Sequence, residues 1–312
     1  MPVCTCCKWN NNYNNIEFLV MKIMRQLLQK TVLLVAISAL IWACDKVDEP
    51  YLSATNNPQP VTNTQKVLLE EFTGHKCTNC PKAHLEAKNI QLLNPGRVIV
   101  VSIHAGFFAS PDGSGLFTAD YRTDEGTEIN TAFGVESNPT GMINRTKFND
   151  KFLQGTDSWQ GYVESALAKT LKATITLPVE WNSSTRSLTI NPSVKFLEEV
   201  SGKYNICVVI TEDSLNSPQK NTDISAGTVP TIDPYYHRHV LRKAVNGVWG
   251  ESLNSNDGIA GGTTLSKSYT FVLPDSWDED HCSVVAYVSR MDEVSEKYSV
   301  LQVEETHVVE SK

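Results

Sequence analysis

The chain has 312 residues, and its 27 Lys and Arg against 35 Asp and Glu give a formal net charge of −8 at pH 7. Nucleic-acid binding requires a basic surface, so this acidic balance excludes nucleic acid as an expected partner. Hydrophobic residues make up 41% of the chain, which suits a globular body, and the length predicts two domains.

The first 43 residues are expected to be absent from the mature protein. Residues 1–20 are rich in Asn, and their cysteines match no common zinc spacing, so we interpret them as a mis-assigned start. Residues 21–43 join a basic stretch to an apolar run of 13 residues. This is the pattern of an export signal, and the run is short for a membrane-spanning anchor.

Ile41-Trp42-Ala43-Cys44 resembles a lipobox, which makes Cys44 the predicted lipidated residue of a lipoprotein. An ordinary secretory signal with an incidental cysteine is the alternative. Residues 44–64 then form a lipid-anchored linker, since they are rich in Asn, Pro and Thr. Their acidic start, residues 45–49, resembles a surface-export signal of Bacteroidetes lipoproteins and is equally typical of a solvated tether.

Residues 65–172 are predicted to form an α/β domain, because β-branched apolar runs alternate with segments of helical spacing. The predicted elements, in chain order, are a strand at Val67–Phe72, a helix from Pro81 to near Asn94, a strand at Arg97–His104, and helices at Thr118–Phe133 and Trp159–Leu171.

Two cysteines stand between the first strand and the first helix, in the motif Cys77-Thr78-Asn79-Cys80. Free backbone N–H groups and the helix dipole stabilise a thiolate at a helix start. The neighbouring Lys76 is expected to lower the pKa of the Cys77 thiol further. A strand, a turn, Cys-x-x-Cys and a helix in this order predict a redox-active pair.

Two other roles remain open for this pair. Exported proteins often use Cys pairs as structural disulfides that never turn over. A zinc site would need further ligands, for which His75, His84 and His104 are near in sequence, while a second pair of cysteines is missing.

Residues 173–312 are predicted to form an all-β domain, a β-sandwich, because short apolar or alternating runs are separated by polar turns. Cys207 and Cys282 are either buried thiols or an inter-sheet disulfide. His237 and His239 would share a strand face, where a packed or surface pair is more common than a metal site. The predicted strands are Ala173–Trp181, Ser187–Phe196, Tyr204–Glu212, His237–Arg242, Ser266–Leu273, Cys282–Arg290 and Ser299–Val308.

The order of strand, CTNC motif, helix and strand resembles the thioredoxin fold over about a third of the chain. Glu71 occupies the place of that family's buried proton-relay carboxylate, and Pro139 precedes a strand as the family's cis-proline does. The resemblance implies that Cys77 attacks, that Cys80 resolves the mixed disulfide, that Glu71 moves the proton and that Pro139 shapes the docking groove. Lys76 replaces the aromatic residue usual there, and the inner dipeptide is Thr-Asn, so neither potential nor substrate is implied.

Three stretches, VLLEEFTGHKCTNCPKAH, SNPTGMINR and YYHRHVLRKAVNGVWGE, resemble the outer-membrane protein 28 family of Bacteroidetes lipoproteins. This resemblance implies a lipid-anchored outer-membrane protein, periplasmic or surface-exposed, with a thioredoxin-like domain and a β-sandwich. Some members of the family are labelled adhesins or receptors. Two functions therefore stay open: thiol–disulfide exchange with protein thiols or disulfides, or non-catalytic binding of a surface ligand with a structural Cys77–Cys80 disulfide. No cofactor and no metal are expected.

Overall fold

The computed structural model describes residues 64–255, 257–292 and 296–309, which belong to one compact unit. The predicted mis-assigned start, signal peptide and lipidated Cys44, with all but the last residue of the linker, lie outside these residues. Within the described ranges, no helix is both long enough and apolar enough to cross a bilayer.

The first half of the described chain holds the helices and the first three strands. The helices are α1 (Cys80–Leu93), α2 (Asp124–Ala132) and α3 (Trp159–Leu167), and the strands are β1 (Val67–Thr73), β2 (Val98–His104) and β3 (Thr140–Ile143). The second half is built of many short strands and three long ones. These strands are β4 (Ala173–Thr176), β5 (Val179–Asn182), β6 (Ser187–Ile190), β7 (Ser193–Phe196), β8 (Val200–Ser201), β9 (Tyr204–Glu212), β10 (Leu215–Asn216), β11 (Gln219–Lys220), β12 (Thr231–Ile232), β13 (Tyr236–His237), β14 (Val240–Ala244), β15 (Glu251–Ser252), β16 (Gly258–Ile259), β17 (Thr264–Ser266), β18 (Tyr269–Val272), β19 (Cys282–Arg290) and β20 (Val300–His307).

One eight-stranded sheet joins the two halves, in the order β20-β19-β9-β14-β2-β1-β3, with β15 also paired to β9. β1 and β2 are parallel, as expected for strands joined through a helix, and β3 runs antiparallel to β1. The junction is the parallel pairing of β14 with β2, where Val240 lies opposite Ser102. The sheet is therefore continuous across the domain boundary predicted near residue 172.

Alternate residues of the strands point to opposite faces of this sheet. Val67 and Leu69 pack with α1 and α3, whereas Leu68 belongs to a core that also holds Val209 of β9 and Val285 of β19. A single hydrophobic core thus spans the residues that the sequence assigned to separate domains.

The predicted mixed α/β class is confirmed, with few helices and many strands, but a β-sandwich is not established. Two three-stranded sheets, β4-β7-β17 and β5-β6-β18, supply Ile175 and Leu188 to a core shared with Ile206 of the large sheet. The second half therefore combines small sheets with part of one sheet that it shares with the first half.

Several predicted elements are shorter than their sequence patterns. The runs Ala173–Trp181 and Ser187–Phe196 each divide into two strands around Pro178 and Pro192, because proline cannot donate to a sheet ladder. The helix expected from Thr118 begins only at Asp124, where the Thr123 hydroxyl caps it by accepting from the Gly126 N–H at 2.9 Å.

Candidate functional site

Cys77 and Cys80 form a disulfide with a Cα–Cα distance of 5.4 Å. Cys80 is the first residue of α1, and Cys77 closes the preceding turn by donating its N–H to Gly74 O at 2.9 Å. Their exposed fractions are 2% and 0%. The structure joins the predicted pair at the predicted junction of strand and helix, but neither cysteine is exposed to solvent.

Residues 107–112 cover one side of this turn. The Lys76 N–H donates to Phe108 O at 3.0 Å, and a Cβ on Gly74 would lie 2.4 Å from the Phe108 carbonyl carbon, so only glycine fits there. The Lys76 ammonium donates to Asp112 Oδ1 at 2.9 Å, which holds the pKa of Asp112 below its usual value. Because this ammonium is paired with a carboxylate, its expected influence on the Cys77 thiol is weakened.

A polar segment from the second half of the chain, Ser217–Thr222, covers the other side; we call it the strap. Gln219 of the strap is fully buried, and both backbone and side-chain groups of the strap donate to carbonyls of the motif. The hydrogen bonds run from Gln219 Nε2 to Cys77 O (2.8 Å), from Lys220 N to His75 O (2.8 Å) and from Thr222 N to Thr78 O (3.0 Å).

Glu71 of β1, the strand next to the edge strand β3, is buried, with 4% of its surface exposed. Its Oε1 accepts a hydrogen bond from Ser102 Oγ and lies 3.8 Å from His84 Nε2, while its Oε2 has no hydrogen-bond partner among the described residues. His84 in turn contacts Thr73 Oγ1 at 2.8 Å and the Tyr235 hydroxyl. A chain of polar groups thus leads from the buried carboxylate to Tyr235 in the second half.

A cavity of about 210 Å³ adjoins this chain, lined by Glu71, His84, His104, Tyr235 and His237 among others. Within the described ranges, both ring nitrogens of His104 and the Nδ1 of His237 lack hydrogen-bond partners, and the two ring centroids are 5.2 Å apart. Burial lowers the pKa of His104 well below its usual value and that of His237 to about 3, so both imidazoles are neutral at pH 7.

Pro139 lies at the same end of the sheet as the CTNC turn. The Asn138–Pro139 peptide bond is cis, and the next residue, Thr140, pairs with Phe72 near the end of β1. The Pro139 side chain is half-buried, and its docking role stays a prediction.

The other candidate residues of the second half do not form a site. His237 belongs to β13, whereas His239 lies beyond it with a φ of 54° and its Nδ1 is 3.3 Å from Asp213, so the expected shared strand face is wrong. Cys207 and Cys282 are free and buried, and burial raises the pKa of each thiol to about 12. In the part of the chain that the structure describes, no three or more His, Cys, Asp and Glu side chains are arranged to hold a metal.

Sequence reasoning missed the strap, Tyr235 and the unpaired state of His104. A signal for part of this was present, because the run Tyr235-Tyr236-His237-Arg238-His239 places aromatic and imidazole side chains close together. Its last three residues were assigned to the predicted strand His237–Arg242, and the whole run forms one wall of the cavity.

The family model of outer membrane protein Omp28 matches residues 127–312, which is more than half of the chain. This chain belongs to the Omp28 family. Membership confirms the resemblance seen in the sequence and the predicted location at the outer membrane. The matched range contains the strap and Tyr235, whereas the CTNC motif precedes it.

Among solved structures, HBP35 of Porphyromonas gingivalis is similar at 18% identity and a TM-score of 0.60, over 80% of this chain and 77% of that one. At that identity the likeness shows the fold alone. A domain of the outer membrane lipoprotein Omp28 from the same organism is similar over 45% of this chain and 90% of its own, at 22% identity and a TM-score of 0.29, which is too low to carry a structural argument. A comparison with curated proteins finds no match.

Proposed function

We propose that this Omp28-family protein exchanges thiols and disulfides with partner proteins at the outer membrane, using Cys77 and Cys80. The observation that carries the proposal is the position of the pair, between β1 and the first residue of α1. The buried carboxylate of Glu71 and the position of Pro139 at the same sheet end add support, because both match the thioredoxin-like arrangement inferred from the sequence.

In the proposed reaction a partner thiolate attacks the Cys77 sulfur. A partner–Cys77 disulfide forms as the Cys77–Cys80 bond breaks, and Cys80 leaves as a thiolate that takes up one proton. In the reverse direction Cys80 attacks the mixed disulfide and releases the partner thiolate. Glu71, linked to His84, is the group proposed to move that proton.

The proposed attachment is a lipid on Cys44, with residues 45–64 as the tether. A lipid-anchored chain would meet protein thiols or disulfides, or a surface ligand, close to the membrane. Replacement of Cys44 by Ser should move the protein from the detergent phase to the aqueous phase in a detergent-partitioning assay. Retention in the detergent phase would contradict lipidation at Cys44.

A second function, non-catalytic binding with a structural disulfide, is favoured by one observation. Both cysteines are almost wholly buried, and a disulfide that exchanges must be reached by the attacking sulfur. An adhesin-like or receptor-like protein would need the Cys77–Cys80 bond only to hold the turn together.

The potential of the pair separates the two functions. Structural disulfides have potentials below about −300 mV, whereas exchanging ones lie higher. We expect a value above that limit when the purified protein is equilibrated with dithiothreitol buffers and the thiols are trapped by alkylation.

Single replacements test the assigned roles. Cys80→Ser should accumulate mixed disulfides with an unfolded test protein that carries a disulfide, because the Cys77 thiolate attacks that bond and no Cys80 is left to resolve the product, and Cys77→Ser should form none. Cys207→Ser is the matched control, since that thiol is free, buried and held protonated. If the redox potential lies below about −300 mV and Cys80→Ser forms no mixed disulfide, the exchange function is wrong and the binding function remains.

A further inference from the structure

The strap has a property that neither the family nor the motif explains, because it donates hydrogen bonds to backbone carbonyls of the CTNC turn and of its neighbour His75. Its amides at residues 220 and 222 donate to the carbonyls of His75 and Thr78. Gln219 adds a side-chain bond to the carbonyl of Cys77. An extended partner chain would use the same acceptors, because strand addition works through main-chain hydrogen bonds.

We propose that the strap is an intramolecular cap of the disulfide, which a partner must displace before its thiolate can reach Cys77. The biological role of this cap rests on the proposed function. The physical claim is only that the strap limits the access of a thiolate to the Cys77–Cys80 disulfide. It accounts for an exchange motif that has the expected surroundings and yet exposes only 2% of Cys77.

The composition of the strap suits a releasable cap. Its sequence, Ser-Pro-Gln-Lys-Asn-Thr, contains no large apolar side chain, so hydrogen bonds rather than hydrophobic burial hold it against the motif. Hydrogen bonds that are exchanged for bonds to water contribute little net stability each, and segments with few apolar contacts open at low free-energy cost. The buried Gln219 Oε1 also lacks a hydrogen-bond partner in the part of the chain that the structure describes, so one polar atom of the strap is left unsatisfied in the closed position.

The strap is tied on its far side to the loop that follows it. Ser217 N–H donates to Tyr235 O at 3.0 Å, and Asn221 N–H donates to Pro230 O at 2.9 Å. An ion pair, Lys82 Nζ to Asp223 Oδ2 at 3.6 Å, links α1 to the residue that follows the strap. The strap and residues 230–235 are hence expected to move together, as a hairpin that lifts from the turn.

The test is the rate at which dithiothreitol reduces the Cys77–Cys80 bond in the full chain, followed by alkylation and mass spectrometry. The variant Gln219→Leu/Thr222→Val keeps the volume of both side chains and removes three of their bonds to the motif, to Cys77 O, Thr78 O and Asn79 Oδ1. We expect it to be reduced about tenfold faster than the wild type, since each lost bond is worth a few-fold in the opening equilibrium. Ile224→Ala, an 80% exposed side chain just beyond the strap, should leave the rate unchanged.

A second measurement keeps the result interpretable if the double variant folds poorly. Thr222→Val alone alters an exposed residue and should be reduced about threefold faster, with faster hydrogen exchange at the amides of Lys220 and Thr222. Faster exchange at those amides without faster reduction would overturn the cap, because the strap would then open without exposing the bond.

The outcomes also separate this inference from the proposed function. If the strap variants are reduced faster but none forms a mixed disulfide with a protein, the cap stands and exchange as a function falls. If the wild type and the strap variants exchange with a protein at the same rate, exchange stands and the cap is wrong.

Discussion

A buried ion pair connects the two halves of the chain and can be used to test whether they unfold as one unit. Arg145, just after β3, donates from Nε to Glu70 Oε2 at 2.7 Å and from Nη2 to Glu70 Oε1 at 2.6 Å. The same Nη2 donates to the Tyr287 hydroxyl of β19 at 3.0 Å. All three residues are buried, so the pair is shielded from water on every side.

Replacing Glu70 by Ala would leave the guanidinium buried without its partner. Burial lowers the pKa of Arg145, but its interactions with Glu70, Tyr287 and Cys207 together raise the pKa above its usual value, so the group is charged in the native protein. Breaking a buried pair by removing one partner costs about 3–5 kcal/mol in the free energy of unfolding. In a chain of this size that corresponds to a fall in Tm of roughly 10 °C.

The assays are urea unfolding at pH 7.5, followed by tryptophan fluorescence and by circular dichroism, and calorimetry. Because Tyr287 and Glu70 share one core, we expect a single transition that moves as a whole in Glu70→Ala. The double variant Glu70→Leu/Arg145→Met should regain most of the loss, since apolar residues of similar volume often replace a buried pair without cost. Glu279→Gln breaks the partly exposed pair with Arg186 and should change stability little.

Two results would refute this reasoning. If Glu70→Ala were as stable as Glu279→Gln, the pair would not be shielded as described. If only one of two separate transitions moved, residues 65–172 and 173–312 would be independent domains, and the continuous core would not couple them.

Two further predictions concern the histidine cavity and the CTNC turn. The pKa values of His104 and His237 are lowered by burial, so below about pH 6.5 the unfolded chain binds protons that the folded chain excludes, and stability falls with acidification. Between pH 7.5 and 5.0 the free energy of unfolding of the wild type, measured by urea titration, should fall by up to about 2 kcal/mol per histidine. The variant His104→Phe/His237→Phe should lose less, and the half-exposed control His281→Gln should lose as much as the wild type. Equal losses in all three proteins would contradict the assignment of the pH dependence to His104 and His237. Gly74→Ala should destabilise the protein by at least about 2 kcal/mol, because its Cβ would meet backbone atoms, while Gly113→Ala, with open space around it, should be neutral.

Local patterns in the sequence predicted the elements around the motif well. β1 and β2 differ from the expected strands by one residue at one end each, because short apolar runs bounded by turn residues have few other solutions. The end of α1 at Leu93 follows from the Asn94-Pro95-Gly96 sequence, which cannot continue a helix. The CTNC pair was placed correctly for the same reason, since its position depends only on these neighbouring elements.

The parts that sequence reasoning missed depend on contacts between distant residues. β14 pairs with β2 across more than a hundred residues of chain, and no local pattern reports such a partner. The strap contains Pro, Lys, Asn and Thr and reads as a surface turn, yet Gln219 is fully buried because it meets carbonyls of the motif. Polar residues are buried where they find hydrogen-bond partners, and those partners were unknown from the sequence.

The contact between the strap and the motif also changes how the two candidate functions relate to each other. The sequence left thiol–disulfide exchange and ligand binding open as two alternative functions, with the exchange motif in the first half of the chain. The strap belongs to the second half, and its hydrogen bonds end on carbonyls of the CTNC turn. A ligand could bind residues 217–239 more tightly in one position of the strap than in the other. Such a ligand must shift the equilibrium between the closed and the open strap by the factor by which its affinities for the two positions differ. By reciprocity, reduction of the disulfide would change the affinity for that ligand by the same factor, so recognition and redox state are expected to be coupled rather than alternative roles.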